Sequence, residues 1–232
     1  LTNKLILGKP GKPTIDLIAG LSSRQAMMED RGYHNIPLFP VVNRLDAGQY
    51  SLHGKQYQLE VNEKNLNNTL HGFIHHIEPT VQLDNTNNAK QAKVTLSYAY
   101  NGHLQGYPFQ ADVSITYTLS AEGSLTINYT VQNKHNESIP LGLGWHPYFQ
   151  LGSKVDELSL QLPKVKHTPV DQRMLPTGEK RDFDDFQSLG KIGDRKFDDC
   201  FEIQAQNETA ETVLWSNAEN FGMKLWQHTE RT

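Results

Sequence analysis

Between Val94 and Val131 apolar and polar residues alternate with period two in three successive stretches. Val94, Leu96, Tyr98 and Tyr100 alternate with Thr95, Ser97 and Ala99; Val113, Ile115, Tyr117 and Leu119 form the second set, and Leu125, Ile127, Tyr129 and Val131 the third. Successive side chains of a strand point to opposite faces, so the pattern predicts three half-buried antiparallel strands. The β-branched and aromatic residues at the apolar positions suit a pleated surface. Asn101-Gly102 and the tetrapeptide Ser120 to Gly123 are turn signals between them. Tyr50 and Leu52, then Tyr57 and Leu59, repeat the alternation on a smaller scale, and Gly54-Lys55 fits a two-residue hairpin turn. Further strands are predicted at 158–162, 213–216 and 221–226.

The first forty residues carry a weaker pattern. Residues 9–13 read as a turn or linker, 15–19 as a short strand and 23–30 as two helical turns. An apolar approach through Ile36-Pro37-Leu38-Phe39-Pro40 leads to Arg44, and the polar loop 62–69 delivers Leu70-His71-Gly72-Phe73. With no long amphipathic helix, no internal repeat and no dividing linker, the expectation is one all-β domain over 1–232, a large antiparallel β-sandwich.

Charge and composition narrow the partners. The chain has 232 residues, with 22 Lys+Arg against 26 Asp+Glu and a net charge of −4. No broad basic face for nucleic acid or an anionic membrane is expected from that balance. No apolar run approaches a membrane span. Cys200 is the single cysteine, so neither an internal disulfide nor a cysteine metal cage can form. A cytoplasmic setting is the default expectation.

Four polar groups stand out by their surroundings. Pro147 disfavours the helical region for His146 and holds it extended, while Gly142 and Gly144 permit close backbone approach. Trp145, Tyr148 and Phe149 offer flat apolar faces with polar edges, the kind of surface on which a sugar ring can rest. Arg44 follows an apolar run, His71 precedes a glycine, and Asp198 lies in Lys196-Phe197-Asp198-Asp199-Cys200-Phe201. Each has a plainer reading: Arg44 as a turn cap or partner of Asp46, His71 as a loop histidine, His146 as a satisfied histidine beside a turn, Asp198 and Asp199 as a solvated pair. A metal site from His71, His75, His76 and Asp198 matches no strong ligand spacing.

Taken in order, these stretches resemble the aldose 1-epimerase (galactose mutarotase) family. The matching pieces are Asn43-Arg44-Leu45 with Gly48, Leu70-His71-Gly72, Gly144-Trp145-His146-Pro147-Tyr148-Phe149 and Asp198-Asp199-Cys200-Phe201. The hairpin segment 50–59 and the segment 170–178 also read like the family's connecting segments. The resemblance implies a β-supersandwich and interconversion of the α and β anomers of a free aldohexose such as glucose or galactose. It implies no cofactor and no metal. It places the sugar-binding arginine on Arg44, the first active-site histidine on His71, the general acid to the ring oxygen on His146 and the hydroxyl-binding aspartate on Asp198. Histidine suits the acid role, because a group titrating near neutrality can both give and regain a proton.

The family's general base is a glutamate in a late strand, beyond the segment that 221–226 resembles. Here the chain reads Gln227-His228-Thr229-Glu230-Arg231-Thr232, and Glu230 lacks the surrounding family pattern. The expectation is a mutarotase-like domain lacking its C-terminal strands. The alternatives are a non-catalytic carbohydrate-binding β-sandwich and a sugar-phosphate mutarotase, the last needing more basic residues near the motifs than Arg44 alone.

Overall fold

The alternating middle of the chain forms a four-stranded antiparallel sheet in the order Leu125–Asn133, Ala111–Ser120, Gln91–Tyr100, Thr80–Asp84. This computed structural model describes residues 2–8, 14–84, 90–204 and 207–229. The predicted linker at 9–13 and Glu230 lie outside the described residues. Two compact units emerge, one of residues 36–146 and one of 2–35 with 147–232, and each is described by itself.

In the first unit the register follows the polarity pattern. Val113 faces Tyr98 on one side and Val131 on the other, and Ile115 faces Leu96 and Tyr129. On the opposite face Thr95 and Thr116 share a hydrogen bond of 3.0 Å. The apolar face packs on an aromatic cluster of Phe39, Tyr100, Tyr107 and Phe109, all buried. Four tyrosines of this core donate their hydroxyls to backbone carbonyls: Tyr100 to Tyr107, Tyr107 to Pro140, Tyr50 to Gly106 and Tyr129 to Gly144. An unmade bond at such depth would cost the desolvation of each group.

Two turns differ from the sequence reading. Leu52 pairs with Lys55, so His53-Gly54 makes the hairpin turn, one residue before Gly54-Lys55. Both turn residues have positive φ, +49° and +75°, as a turn matching the right-handed twist of the strands requires. Asn101-Gly102 is not a two-residue hairpin. Tyr100 and Ala111 are the last pair of their ladder, and residues 101–110 form a longer connection. The edge strand Thr80–Asp84, exposed along its whole length, had no counterpart in the sequence reading.

The second unit contains a four-stranded antiparallel sheet ordered Gly190–Lys191, Ser159–Gln161, Thr209–Ser216, Phe221–His228. A three-stranded sheet runs Arg181–Phe183, Val165–Thr168, Cys200–Ile203. Three of these strands coincide with those predicted at 158–162, 213–216 and 221–226. Leu151, Leu158, Ile192 and Phe221 form its buried core. The helical turns expected at 23–30 are the helix Arg24–Glu29, started by Ser23, whose hydroxyl accepts from the Ala26 N–H. The chain is all-β, with only short helical pieces among the described residues.

Ile115 is fully buried between two ladder partners. Ile115→Ala is expected to cost about 2–5 kcal/mol of stability, as for other large-to-small core changes. Urea unfolding monitored by circular dichroism measures it, and a loss under 1 kcal/mol would contradict the packing described.

Candidate active site

The pentapeptide Ile36 to Pro40, buried from Pro37 onward, organises the candidate residues His71 and His146 of the first unit. Its strand Pro37–Leu38 pairs with Gly144–Trp145, and the Ile36 carbonyl accepts from the His146 N–H at 3.1 Å. The Phe39 carbonyl accepts from the Phe73 and Ile74 N–H groups, just after His71-Gly72, and the Pro40 carbonyl accepts from Gly142 at 2.7 Å. Close approach is needed here. A Cβ on Gly72 would lie 2.3 Å from the Phe39 oxygen, and Gly72 has φ +65°. Gly142 and Gly144 sit against Pro40 and Leu38, where a Cβ would be 3.3 Å from its nearest neighbours.

Arg44 opens the strand Arg44–Asp46, which pairs with Asn68–Leu70 so that Arg44 stands opposite Leu70. The first two residues of the Asn68–Leu70 strand fall within the stretch 62–69 read from sequence as loop. The Arg44 guanidinium forks onto Glu63, with Nε donating at 2.9 Å to Oε2 and Nη2 donating at 2.9 Å to Oε1. Both side chains are largely covered, at 14% and 13% exposure. Nη1 also donates to the Asn43 side-chain oxygen at 3.3 Å. Asn68, fully buried, donates its side-chain amide to Glu63 Oε2 at 3.0 Å. The Arg44 hydrogen bonds hold the Glu63 carboxyl below its ordinary range against the opposing effect of burial.

His71 follows directly on that strand pair. It and Asn43 both have positive φ, +62° and +63°, a costly conformation for a histidine. Two reciprocal bonds hold the pair: the His71 N–H donates to the Asn43 carbonyl at 3.0 Å, and the Asn43 N–H donates to His71 Nδ1 at 3.3 Å. An accepting Nδ1 puts the proton of the neutral ring on Nε2. The His146 ring lies edge-on to His71, centroids 4.8 Å apart. Burial, then the neighbouring His146 and Arg44, push the His71 imidazole down to about 4.

Asp198 belongs to the second unit, exposed and just ahead of the Cys200–Ile203 strand. Its neighbour Asp199 accepts from His167 Nε2 at 2.7 Å. Tyr148 is in the same unit. Its hydroxyl donates to the Gly32 carbonyl at 2.9 Å, and His34 stacks on its ring at 3.9 Å. Burial raises the Tyr148 phenol, with smaller contributions from Asp30 and Asp198. Thus Arg44, His71 and His146 come together in the first unit, and Asp198 lies near Tyr148 in the second. The ring offered by Tyr148 is partly occupied by His34. Among the described residues no group of three or more His, Cys, Asp or Glu is placed to hold a metal ion.

Sequence reasoning missed Glu63 and Asn68, which lie in the asparagine-rich loop 62–69, and it missed the contact between His34 and Tyr148. A carboxylate 19 residues from its arginine leaves no periodic signal. Glu63 is the one acid of that loop, and Lys64 beside it offers a nearer partner in sequence.

Comparison with known proteins adds the family context. The family model described as aldose 1-epimerase matches residues 9–231. Galactose mutarotase from Homo sapiens is 27% identical over 168 residues, covering 71% of this chain and 47% of that protein. Maltose epimerase from Levilactobacillus brevis is 29% identical over 192 residues, 73% of this chain and 54% of that protein. The chain spans about half the length of the curated relatives it matches. The solved structure of a GalM/aldose epimerase homologue from C. elegans aligns with a TM-score of 0.79 at 22% identity, covering 94% of this chain and 69% of that one. A galactose mutarotase-like protein from Clostridium acetobutylicum aligns at 0.77 and 21% identity, covering 89% and 66%. The fold is the galactose mutarotase-like β-sandwich.

The depressed His71 and, similarly, His75 have a pH consequence. The unfolded chain binds protons on these rings below the ordinary value of 6.5, whereas the folded chain does so only near 4. Their contribution to stability is therefore complete above 6.5 and is lost as pH falls toward 4. In a ¹⁵N NMR titration, His71 is expected to stay in the Nε2–H neutral form from pH 8 down to 5; an inflection above pH 6 would contradict this.

Proposed function

The chain belongs to the aldose 1-epimerase family, and on that premise we propose that it is a mutarotase acting on a free aldohexose. The observation that carries the reading is the edge-to-face meeting of His71 and His146, with Arg44 on the strand that pairs with Asn68–Leu70 just before His71. The two compact units are read as parts of one mutarotase-like domain, since the family match runs through both. A cytoplasmic setting belongs to the same reading, consistent with a single cysteine in the sequence. Among the described residues no helix is long and apolar enough to cross a membrane.

In the proposed reaction His146 gives a proton to the ring oxygen while the anomeric hydroxyl gives one to a water molecule, which returns it on reclosure. The C1–O5 bond breaks and the open-chain aldehyde forms. Rotation about C1–C2 presents the other carbonyl face; the oxygen adds back, and the proton returns to His146. Acid–base catalysis of this kind typically contributes ~10²–10⁴-fold. His71, neutral with its proton on Nε2, donates to a sugar oxygen without adding positive charge beside His146. Arg44 donates to sugar hydroxyls. The family's glutamate base is not assigned to any described residue. A second reading is a carbohydrate-binding homologue without turnover.

Dissolving α-glucose or α-galactose with the protein and following optical rotation separates the two. Faster equilibration than buffer alone supports the mutarotase; sugar binding with no acceleration removes it. His146→Gln is expected to lower turnover by about 10²-fold or more while changing sugar affinity much less. A near-normal rate would sink the role given to His146.

A further inference from the structure

We propose that Glu63 makes this a site for uncharged sugars, by holding the Arg44 guanidinium in one orientation and cancelling its charge. The inference rests on the reading of Arg44 as a sugar-binding residue. Glu63 contacts Arg44 through both carboxylate oxygens and is itself held from three directions. Its N–H donates to the Asn68 carbonyl, its carbonyl accepts from the Asn68 N–H, and Oε2 accepts from the Asn68 side chain. Asn68 lies in the strand that pairs with the Arg44 strand, opposite Asp46. Acid and base are thus anchored through their backbones to the same two-stranded ladder.

The electrostatic result is a site of low net charge. Arg44 and Glu63 sum to zero, and His71 is held neutral beside them. A sugar hydroxyl accepts a hydrogen bond from a guanidinium in such a pair without needing a counter-charge. A phosphate or carboxylate on the sugar would have to displace Glu63 from Arg44 or tolerate a like charge beside it. This disfavours sugar phosphates and sugar acids on grounds independent of the number of basic residues nearby. Glu63 is a positioning and specificity residue, acting on the ligand through Arg44.

The test compares galactose with galacturonate, which differ only in the carboxylate at C6, by isothermal titration of the full chain. The wild type is expected to prefer galactose. Glu63→Gln keeps the side-chain shape and removes the charge; it is expected to shift the preference toward galacturonate by about tenfold, the scale of one charge-assisted hydrogen bond. Glu63→Asp, which keeps the charge, should retain the preference for galactose. The Arg44 Nε–H resonance should move in the Gln variant, and the Glu63 effect should vanish in an Arg44→Ala background. An unchanged preference in Glu63→Gln, with galactose binding weakened but measurable in Arg44→Ala, would overturn this inference alone. Galactose binding untouched by Arg44→Ala would remove the site reading and this inference with it.

Discussion

Buried backbone must be hydrogen-bonded, and in the first unit that requirement does the assembling. The segment from Pro37 to Pro40 is buried, so its carbonyls cannot turn to water. The carbonyls of Ile36, Phe39 and Pro40 recruit donors from the His146 strand on one side and from the residues after His71 on the other. Two stretches more than seventy residues apart in sequence are thereby joined, and their imidazoles meet edge to face. Gly72 is what lets the second stretch come close enough, since any side chain there would strike the Phe39 oxygen. Backbone pairing positions the chemistry; the side chains that carry it are passengers on that framework.

Charge is managed in the same economical way. The arginine is matched by a carboxylate, the histidine beside it is kept neutral by burial and by its cationic neighbour, and the acid of the pair is stabilised by an amide from a fully buried asparagine. Each group is placed so that its neighbour's preferred state supports its own. The outcome is a polar cluster that offers hydrogen bonds without a strong field, which suits a ligand whose recognition elements are hydroxyls.

Period-two alternation made the sheet strands 91–133 readable, because burial of one face leaves its trace at every second residue. The hairpin at residues 49–58 was found but its turn was misplaced by one residue, since His53 shows no sign in sequence of the positive φ it adopts. Asn101-Gly102 carried a turn signal and still served a longer loop, where Gly102 is required by the nearby Pro108 carbonyl. His71 and His146 stood out through their glycine and proline neighbours, and Arg44 through the apolar run before it. Glu63 did not, because ion pairing across a fold depends on strand register rather than on any local pattern. The edge strand Thr80–Asp84 escaped notice for a related reason: it is exposed on both faces, so burial has not sorted its residues.

The core tyrosines carry a consequence for how this chain can diverge. Tyr50, Tyr100, Tyr107 and Tyr129 each tie a hydroxyl to the carbonyl of a loop or strand that another residue must hold in position. Exchange of tyrosine for phenylalanine counts as the mildest of substitutions when two sequences are scored against one another. At these positions it would keep the ring and untie the connection, leaving a carbonyl without its donor. Drift toward phenylalanine is therefore open only where the tethered segment changes at the same time, so these sites should evolve in pairs with the loops they anchor.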